Sequence, residues 1–502
     1  MLREMAIQSS SDDDAGNVLA RVDPGTIRRL HFVGVAGTGM GSFAGMLRAA
    51  GYEVTGSDQN VYPPMNEMLS AWGIPVLTPY APSNLDAARP DLAVIGNVIR
   101  RVNPEATEIR ARGIPQMSFP AALGSFFLEG RHAIVVAGTH GKTTTSALFG
   151  HVLTAAGRDP SFLVGGVTRN YDRNYRLGGG PHFVVEGDEY DTAYFDKGPK
   201  FLHYRPRTAI LTSVEFDHAD IYRDLDHYES AFDGFVRLLP ADGLLAVSAA
   251  YPNAVRIARG SAARVVTYTA GADADGADFT ARQIIFSPAG ADFEMVHRGR
   301  HLGDLHLPLG GRHNVENALG VVAAALNLGL GLDEIRGGLA SFDGVRRRQE
   351  VRGAPGGVTV IDDFAHHPTA VRETIAAVRG RYRGQRLWAV FEPRSNTSRR
   401  NIHQAEYGAA LTGAARVSVK APDPHDRVPA DQQLDVAALT ATLQGAGIEA
   451  KAEPTVDALV EGVAGGARAG DVVLVMSNGA FGGFVDKLLA ALVGRRHSRN
   501  AT

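Results

Sequence analysis

Short apolar runs that end in glycine or in polar residues recur along the chain, and they alternate with segments of helical periodicity. An apolar run of strand length that is followed by a helix is the pattern of a βα unit, and repeated βα units build parallel sheets. The sequence therefore predicts an α/β fold. The predicted strands are residues 29–35, 52–55, 92–95, 182–185, 208–212, 358–361, 387–391 and 472–476.

The length of 502 residues is too great for one hydrophobic core, because a domain typically holds about 150 residues. We expect three α/β domains: a Rossmann-like N-terminal domain, a central P-loop ATPase-like domain with a parallel sheet, and a Rossmann-like C-terminal domain. Their predicted limits are residues 27–129, 130–344 and 345–502. Residues 1–26 are polar and acidic, and we expect them to form a disordered tail.

Composition excludes several classes of protein. The net charge of −3 gives no reason to expect a nucleic-acid or membrane partner. The chain has no cysteine, which excludes disulfides, cysteine-bound zinc and enzyme thioesters. No stretch is apolar enough to span a bilayer, and the N-terminus lacks the apolar segment of a signal peptide. A cytoplasmic enzyme is therefore expected.

Residues 133–146, AIVVAGTHGKTTTS, place a glycine-rich loop between a predicted strand and a predicted helix. Glycines let backbone N–H groups approach phosphate oxygens, and the helix N-terminus adds its positive end. Lys142 would bridge the β- and γ-phosphates of a nucleotide, and the hydroxyl of Thr143 or Thr144 would bind Mg²⁺. Val136 stands where the usual phosphate-loop pattern has a glycine, so a glycine turn with a solvated lysine is the alternative.

Acidic and histidine side chains follow the next two predicted strands. Glu186, Asp188 and Glu189 come after one strand, and Asp217 and His218 come after the other. Mg²⁺ prefers oxygen ligands, and the carboxyl ends of parallel strands share one edge of a sheet, so we expect Glu186 to face the phosphate loop. A solvated acidic loop is the alternative for any single carboxylate.

Residues 34–41, GVAGTGMG, form another glycine-rich turn after the first predicted strand, and Asp58 follows after it. This arrangement predicts a pyrophosphate on a helix N-terminus, as in a nucleotide-sugar or dinucleotide site. Met40 and Gly41 do not match G-x-G-x-x-G, which disfavours a nicotinamide-dependent oxidoreductase but leaves it as an alternative. A tight turn that serves only helix–strand packing is a further alternative.

Polar clusters also lie later in the chain. Asn314 opens an alanine-rich helical segment, where it either caps the helix or contacts an adenine edge. Residues 362–368, DDFAHHP, set two carboxylates and two imidazoles at a strand end, which suggests phosphate, metal or general-base roles. The arginines at 346–348 and Arg394 supply cations that would clamp a transferring phosphoryl group.

Taken together, the motifs AGTHGKTTT, EGDEYD, EFDHADIY, GGRHNVENAL and DDFAHHP resemble the Mur ligases in order and spacing. That family consists of three-domain, ATP-dependent enzymes that form amide bonds in bacterial cell-wall assembly. The resemblance covers nearly all of the chain after the tail. It implies ATP and Mg²⁺ as cofactors, and it implies an acyl phosphate that forms on a substrate carboxylate before an amine attacks it.

The resemblance also implies roles for individual residues. Those at the ATP site are Gly138, Thr139, His140, Gly141, Lys142, Thr143, Thr144, Asn314, Arg347 and Asp363. Those that hold Mg²⁺ are Thr143, Glu186 and His218. Those at a UDP-sugar site are Gly37, Thr38, Gly39, Asp58 and Asn97. Those expected to act in catalysis are Lys142, His218, His366, His367, Arg347 and Arg394. No lysine lies between Asp217 and Leu239, so the carbamylated lysine of some Mur ligases is expected to be absent.

The further stretches GSDQNVYPPM, YDTAYFDKGPKFLHYRPRT, FEPRSNT and MSNGAFGG resemble one branch of the family. That branch joins UDP-N-acetylmuramate to the tripeptide L-alanyl-γ-D-glutamyl-meso-diaminopimelate in peptidoglycan recycling. The alternative branch adds L-alanine to the same UDP-sugar, and a non-catalytic nucleotide sensor is a third alternative. The residues leave open whether the protein is a monomer or a homodimer, and whether the peptide carries diaminopimelate or lysine.

Overall fold

The structure is a computed structural model, and it describes residues 17–62, 65–271, 276–422 and 428–499. Within these ranges three mainly parallel sheets follow one another along the chain, with helices between their strands. The predicted α/β class and the three units are confirmed. None of the helices in the described part of the chain combines the length and the apolar character that crossing a bilayer needs.

The first sheet has five parallel strands in the order β3-β2-β1-β4-β5, which is the order of a Rossmann fold. Its strands are β1 Arg29–Val33, β2 Glu53–Ser57, β3 Val76–Leu77, β4 Leu92–Ile95 and β5 Gln116–Ser118. Its helices are α1 Thr38–Ala49, α2 Met65–Ala71, α3 Ser83–Ala88, α4 Pro104–Ala111 and α5 Phe119–Leu123. Every residue of β4 is buried, as expected for a strand that helices cover on both faces.

Residues 17–26, which we expected in a disordered tail, lie against this sheet. Val18 forms a β-bridge with Gln116, and the side chain of Asn17 donates hydrogen bonds to backbone carbonyls of the same region. This part of the predicted tail is therefore ordered, because its polar groups complete the hydrogen bonding of the edge strand β5. Residues 1–16 lie outside the described residues.

The central sheet has ten strands in the order β15-β14-β13-β12-β11-β10-β6-β9-β7-β8. The strands from β13 to β7 are parallel, and antiparallel hairpins extend the sheet at both ends. The strands are β6 His132–Ala137, β7 Ser161–Thr168, β8 Arg173–Arg176, β9 His182–Gly187, β10 Thr208–Leu211, β11 Leu244–Ser248, β12 Arg264–Thr269, β13 Phe279–Ser287, β14 Gly290–His297 and β15 Arg300–Leu307. The helices are α6 Lys142–Ala155, α7 Leu225–Val236, α8 Pro252–Ala258, α9 Arg312–Asn327 and α10 Leu332–Ala340.

The third sheet has six strands in the order β16-β17-β21-β18-β19-β20, all parallel except the edge strand β16. The strands are β16 Glu350–Gly353, β17 Thr359–Asp363, β18 Leu387–Phe391, β19 Arg416–Lys420, β20 Glu449–Glu453 and β21 Val472–Met476. The helices are α11 Pro368–Arg381, α12 Gln404–Leu411, α13 Val436–Gly445, α14 Val456–Gly466 and α15 Phe484–Arg499.

Two helices begin earlier than predicted, and one of them changes the interpretation of a site residue. Helix α1 begins at Thr38, inside the glycine-rich turn that the sequence predicted at residues 34–41. Helix α9 begins at Arg312, and Gly311 takes the cap position. Asn314 therefore lies inside the first turn of α9, so the alternative that it caps the helix is wrong.

The carboxyl ends of β6, β9 and β10 lie side by side in the central sheet. In the β6–β9 ladder, Ala137 pairs with Gly187, and in the β6–β10 ladder it pairs with Leu211. The loops that leave these three strands therefore emerge at one edge of the sheet, as the sequence predicted for its polar strand ends.

Candidate functional site

The predicted phosphate loop connects β6 to α6, and two of its glycines are required by the backbone and by space. Gly138 and Gly141 have φ angles of 135° and 80°, which other residues rarely adopt. A Cβ at Gly141 would lie 2.6 Å from Oδ1 of Asn317, and a Cβ at Gly138 would overlap Thr212 and Ser213. The loop thus needs glycine at both positions to keep this path.

Lys142 is the first residue of α6, and its ammonium group is surrounded by acidic groups. Its Nζ lies 2.8 Å from Oε2 of Glu189 and donates to the carbonyl of Gly138 at 2.6 Å. Burial opposes the charge of Lys142, but Glu189 and Asp188 outweigh it and raise the pKa of the ammonium group. The lysine is therefore mostly buried, with 13% of its side chain exposed, and it is held inside the loop, unlike the solvated lysine of the alternative.

Thr143 and Glu186 place two oxygen donors beside this lysine. Oγ1 of Thr143 donates to Oε2 of Glu186 at 3.2 Å, and the backbone N–H of Gly165 donates to the other carboxylate oxygen. Burial, and then the charge of Asp188, raise the pKa of Glu186 to about 7. A nearby cation would relieve that repulsion. A hydroxyl and a carboxylate in this arrangement fit Mg²⁺, which takes oxygen ligands.

His218 follows β10, has a left-handed φ of 54° and turns toward the carboxylate of Glu189. Its Nε2 lies 3.2 Å from Oε1 of Glu189. Burial opposes protonation of His218, but Glu189 and Asp217 outweigh it and raise its pKa to about 9. A metal ligand must be a neutral imidazole. His218 would therefore have to lose a proton and leave Glu189 before it could bind a metal ion as predicted.

A cavity of about 590 Å³ lies between the carboxyl edge of the central sheet and the third unit. It has the volume of a small-molecule site. The predicted ATP-site residues that line it are His140, Gly141, Thr144, Asn314 and Asp363. Asp363 is fixed there because its carboxylate accepts the backbone N–H groups of Gln349 and Ala365 at 2.8 and 2.7 Å. Thr139 lies beside the cavity lining, where its Oγ1 donates to the carbonyl of Glu215 at 2.9 Å.

The neighbouring arginines at the start of the third unit point to different places. Arg348 lines the cavity, and its Nη2 donates to Oγ1 of Thr143 at 3.1 Å. Arg347 instead donates to the carbonyls of Ser477 and Gly479 at 2.7 and 2.6 Å. The arginine that reaches the first turn of α6 is therefore Arg348, and the ATP-site role of Arg347 stays a prediction.

His366 and His367 precede α11 and face the loop that follows β10. Nε2 of His366 lies 4.0 Å from Oδ2 of Asp217. His367 caps α11, since its Nδ1 accepts the backbone N–H of Thr369 at 3.3 Å. Burial is the main cause that lowers the pKa of both imidazoles, that of His367 to about 3. Both side chains are therefore neutral at pH 7.

Arg394 is exposed, and the structure does not bring it into the cavity. It follows β18, and its guanidinium group packs against the backbone of Gly479. Sequence reasoning also missed two residues that the structure does place there, Glu215 and Asn317, and it named Arg348 only as one of the three arginines at 346–348. A signal existed for Asn317, which follows Asn314 by one helical turn and so shares its face of α9.

The predicted UDP-sugar residues lie at the carboxyl edge of the first sheet. They are Gly37, Thr38, Gly39, Asp58 and Asn97. The first three surround the exposed N-terminus of α1, and Asn97 is exposed after β4. Asp58 follows β2, and its Oδ2 accepts the backbone N–H of Ala36 at 2.8 Å. An accessible helix N-terminus at a strand edge fits a phosphate group.

Family models match consecutive parts of the chain, one for each sheet. The Mur ligase family, catalytic domain model matches residues 29–131. The Mur ligase middle domain model matches residues 136–325. The Mur ligase, glutamate ligase domain model matches residues 347–479.

Whole-chain comparisons agree with these matches. The UDP-N-acetylmuramate–L-alanyl-γ-D-glutamyl-meso-2,6-diaminoheptandioate ligase of Escherichia coli K12 is 40% identical over 471 residues, which are 92% of this chain and 98% of that protein. A UDP-N-acetylmuramate–L-alanine ligase of Arthrobacter sp. FB24 is 38% identical over 394 residues, which are 78% of this chain and 80% of that protein. The crystal structure of a murein peptide ligase from Psychrobacter arcticus has a TM-score of 0.69 at 34% identity, and the match covers 92% of this chain and 98% of that chain. The chain therefore belongs to the Mur ligase family of ATP-dependent enzymes that form amide bonds.

Proposed function

We propose that this protein joins UDP-N-acetylmuramate to the tripeptide L-alanyl-γ-D-glutamyl-meso-diaminopimelate in peptidoglycan recycling, with ATP as the energy source. The observation that carries the proposal is the 40% identity to the E. coli ligase along 98% of that protein. The L-alanine ligase is 38% identical over 78% of this chain, and L-alanine addition is the second candidate. The family assignment replaces the oxidoreductase and the nucleotide sensor that the sequence alone left open.

ATP would bind in the cavity between the central and third units. Its β- and γ-phosphates would lie on the loop at residues 138–141, where the ammonium group of Lys142 would exchange the Gly138 carbonyl for phosphate oxygens. The adenine would lie near Asn314, whose Nδ2 donates to the carbonyl of Gly310 at 2.7 Å. Arg348 would stabilise the negative charge of the transferring phosphoryl group in place of Arg347.

Thr143 and Glu186 would hold Mg²⁺, and His218 would bind a second ion after it has lost its proton. Bound Mg²⁺ would neutralise negative charge on the phosphate oxygens. The donor set supports this assignment because it offers oxygen atoms next to a carboxyl group whose pKa is raised to about 7 by burial and by Asp188. A cation at that position would keep Glu186 ionised at neutral pH.

The reaction would form a C–N bond in two displacements. A carboxylate oxygen of the UDP-sugar attacks the γ-phosphorus atom, so ADP leaves and an acyl phosphate forms. The amine nitrogen of the tripeptide then attacks the acyl carbon, inorganic phosphate leaves, and the nitrogen gives up a proton. His366 suits the role of proton acceptor, because its imidazole is neutral and Asp217, 4.0 Å away, would stabilise the imidazolium form.

The experiment that tests this function compares two amine substrates. Purified protein, ATP, Mg²⁺ and UDP-N-acetylmuramate are incubated with either the tripeptide or L-alanine, and phosphate release and product mass are measured. We expect one phosphate per amide product with the tripeptide, and a kcat/KM at least about 100-fold lower with L-alanine. Turnover with L-alanine alone would establish the second candidate, and no turnover with either amine would refute both.

A further inference from the structure

Glu215 lies where the phosphate loop and the third unit meet. It follows β10 and lines the cavity. Its Oε2 lies 2.8 Å from Nε2 of His140, which belongs to the phosphate loop. Its Oε1 accepts the hydroxyl of Thr369, in the first turn of α11, at 3.1 Å. One carboxylate therefore joins two domains, with one oxygen for each.

The direction of both hydrogen bonds follows from the charge of Glu215. Burial opposes that charge, but the hydrogen bond from His140 and the charge of the same imidazole outweigh it and lower the pKa of Glu215 to about 2. An ionised carboxylate only accepts hydrogen bonds. Nε2 of His140 and Oγ1 of Thr369 are therefore the donors, and both bonds are stronger than bonds between neutral groups.

His140, Glu215 and His367 also lie close enough together to suggest a metal site, since one donor atom of each lies within 4.8 Å of the others. The hydrogen bonding of His367 argues against this reading. Its Nδ1 accepts the N–H of Thr369, which puts the ring hydrogen on Nε2. A metal-bound imidazole instead donates from its second nitrogen. His367 thus caps α11 and packs its ring against that of His140, with 4.5 Å between the ring centroids.

We propose that Glu215 is a positioning residue that couples the shape of the phosphate loop to the docking of the third unit. With the third unit docked, Thr369 holds one oxygen of Glu215 and directs the other toward His140. The backbone N–H of His140 is fixed at the same time by Oγ of Ser213, at 2.8 Å. When the third unit moves away, Glu215 loses Thr369, and His140 loses both a fixed acceptor and the ring of His367.

The inference rests on the proposed function in one respect, namely that the loop binds ATP. It adds that ATP affinity and domain docking are linked through one carboxylate. Such a linkage is reciprocal, so a loop that is shaped for ATP also favours the docked third unit. The coupling itself is a property of the ligand-free protein and can be measured without turnover.

The chain offers a matched control across the same domain boundary. Nδ2 of Asn396 donates to Oδ2 of Asp220 at 2.8 Å, and this bond joins the third unit to the central unit without involving Glu215. Asn396→Ala therefore removes one interdomain hydrogen bond, as Thr369→Val does, but leaves the connection to His140 intact. Thr369→Ser keeps the hydroxyl and serves as the conservative variant.

The first test measures amide hydrogen exchange in the ATP-free protein. We expect the peptide that covers residues 138–144 to exchange about tenfold faster in Thr369→Val than in the unaltered protein, because one charge-assisted bond is lost. Exchange should stay near the unaltered rate in Thr369→Ser and Asn396→Ala. Equal rates in Thr369→Val and Asn396→Ala would overturn the proposal. So would an increase spread over the whole central unit, since that would reveal simple destabilisation.

The second test is a double-mutant cycle on the KM for ATP. His140→Asn and Thr369→Val should each raise this KM. In the double variant the increase in KM should be about tenfold smaller than the product of the two single increases, because both substitutions act through one carboxylate. In a Glu215→Gln background the two effects should multiply, and the KM for UDP-N-acetylmuramate should stay unchanged in every variant. The coupling would be overturned if the effects of His140→Asn and Thr369→Val on the KM for ATP multiplied in the protein that retains Glu215. An unaltered protein without activity would refute only the proposed function.

Discussion

Arg347 and Arg348 are adjacent, yet their side chains bind different parts of the protein, and alanine variants should separate their two roles. Arg348 donates to Oγ1 of Thr143 at 3.1 Å, beside the position expected for the transferring phosphoryl group. Arg347 donates to two carbonyls of the loop after β21 and so holds that loop to the start of the third unit. Arg348→Ala should therefore impair the reaction, and Arg347→Ala should impair folding.

The expected changes in kcat and in the free energy of unfolding follow from the groups that lose a hydrogen-bond donor when each arginine is removed. Loss of one preorganised donor to a developing negative charge typically lowers kcat by about 10²–10³. Burial opposes the charge of Arg348 and lowers its pKa, so its removal should have little effect on the free energy of unfolding. Arg347→Ala leaves two carbonyls without a charged donor, which should lower the free energy of unfolding by about 2–4 kcal/mol. In a domain of this size that corresponds to a fall in Tm of roughly 5–15 °C.

The assay combines kcat and KM for ATP with thermal unfolding of both variants, and Arg346→Ala is the control. Arg346 is a surface residue whose Nη2 pairs with Asp172 at 2.8 Å, so its removal should change neither quantity much. The reasoning would be refuted if Arg347→Ala lost activity at an unchanged Tm while Arg348→Ala kept its kcat. That result would restore Arg347 to the ATP site, where the sequence had placed it.

Further predictions concern the metal and nucleotide groups. Lys142→Ala should abolish ATP-dependent ligation but leave UDP-N-acetylmuramate binding intact by calorimetry, and loss of sugar binding would contradict the assignment of domains. Chelation of Mg²⁺ should stop phosphate release completely, so residual ATP-dependent product in excess chelator would count against metal binding at Thr143 and Glu186. The pKa of His218 is raised from 6.5 to about 9 in the folded protein. The protonated imidazole therefore stabilises the folded protein fully below pH 6.5, and this stabilisation is lost as the pH rises through 9. The Tm should therefore fall across this range, and it should fall less in His218→Asn; an equal fall in both proteins would show that other groups cause it.

The parts of the fold that the sequence predicted best are the fully buried strands. The strands β4, β18 and β21 have the predicted bounds, because a strand covered on both faces is a continuous apolar run. The antiparallel strand β15 was not predicted, since its sequence RHLGDLHL mixes exposed charged residues with a few buried ones. A half-exposed edge strand resembles a polar loop until its partner strand is known.

The candidate site divides in the same way between local and distant features. Gly138, Gly141 and Lys142 were predictable because the loop, the strand before it and the helix after it are consecutive in the chain. The choice between Arg347 and Arg348 was not, because it depends on the turn at Arg347, which has a left-handed φ of 60°. A turn of this kind at a non-glycine residue leaves no recognisable mark in the sequence.

The connection of Glu215 to Thr369 spans 154 residues, and no local pattern announces it. It depends on how the third unit docks on the central sheet, which is a property of the assembled domains. The sequence could place a polar residue at the end of β10, but it could not say which domain that residue would meet. This is why the phosphate loop was predictable and its coupling to the third unit was not.

The charged groups of the site balance one another, and this balance constrains how substrate would bind. Glu189 is almost fully buried and receives Lys142 on one oxygen, at 2.8 Å, and protonated His218 on the other, at 3.2 Å. Phosphate oxygens would take the place of the Gly138 carbonyl at Lys142 and would weaken its ion pair with Glu189, and His218 would give up its proton before it binds an ion. Since a buried carboxylate left without a cation would be strongly unfavourable, a metal ion held nearby by Thr143 and Glu186 would supply positive charge in place of Lys142 and His218. Metal and nucleotide should accordingly bind together, each weakly without the other.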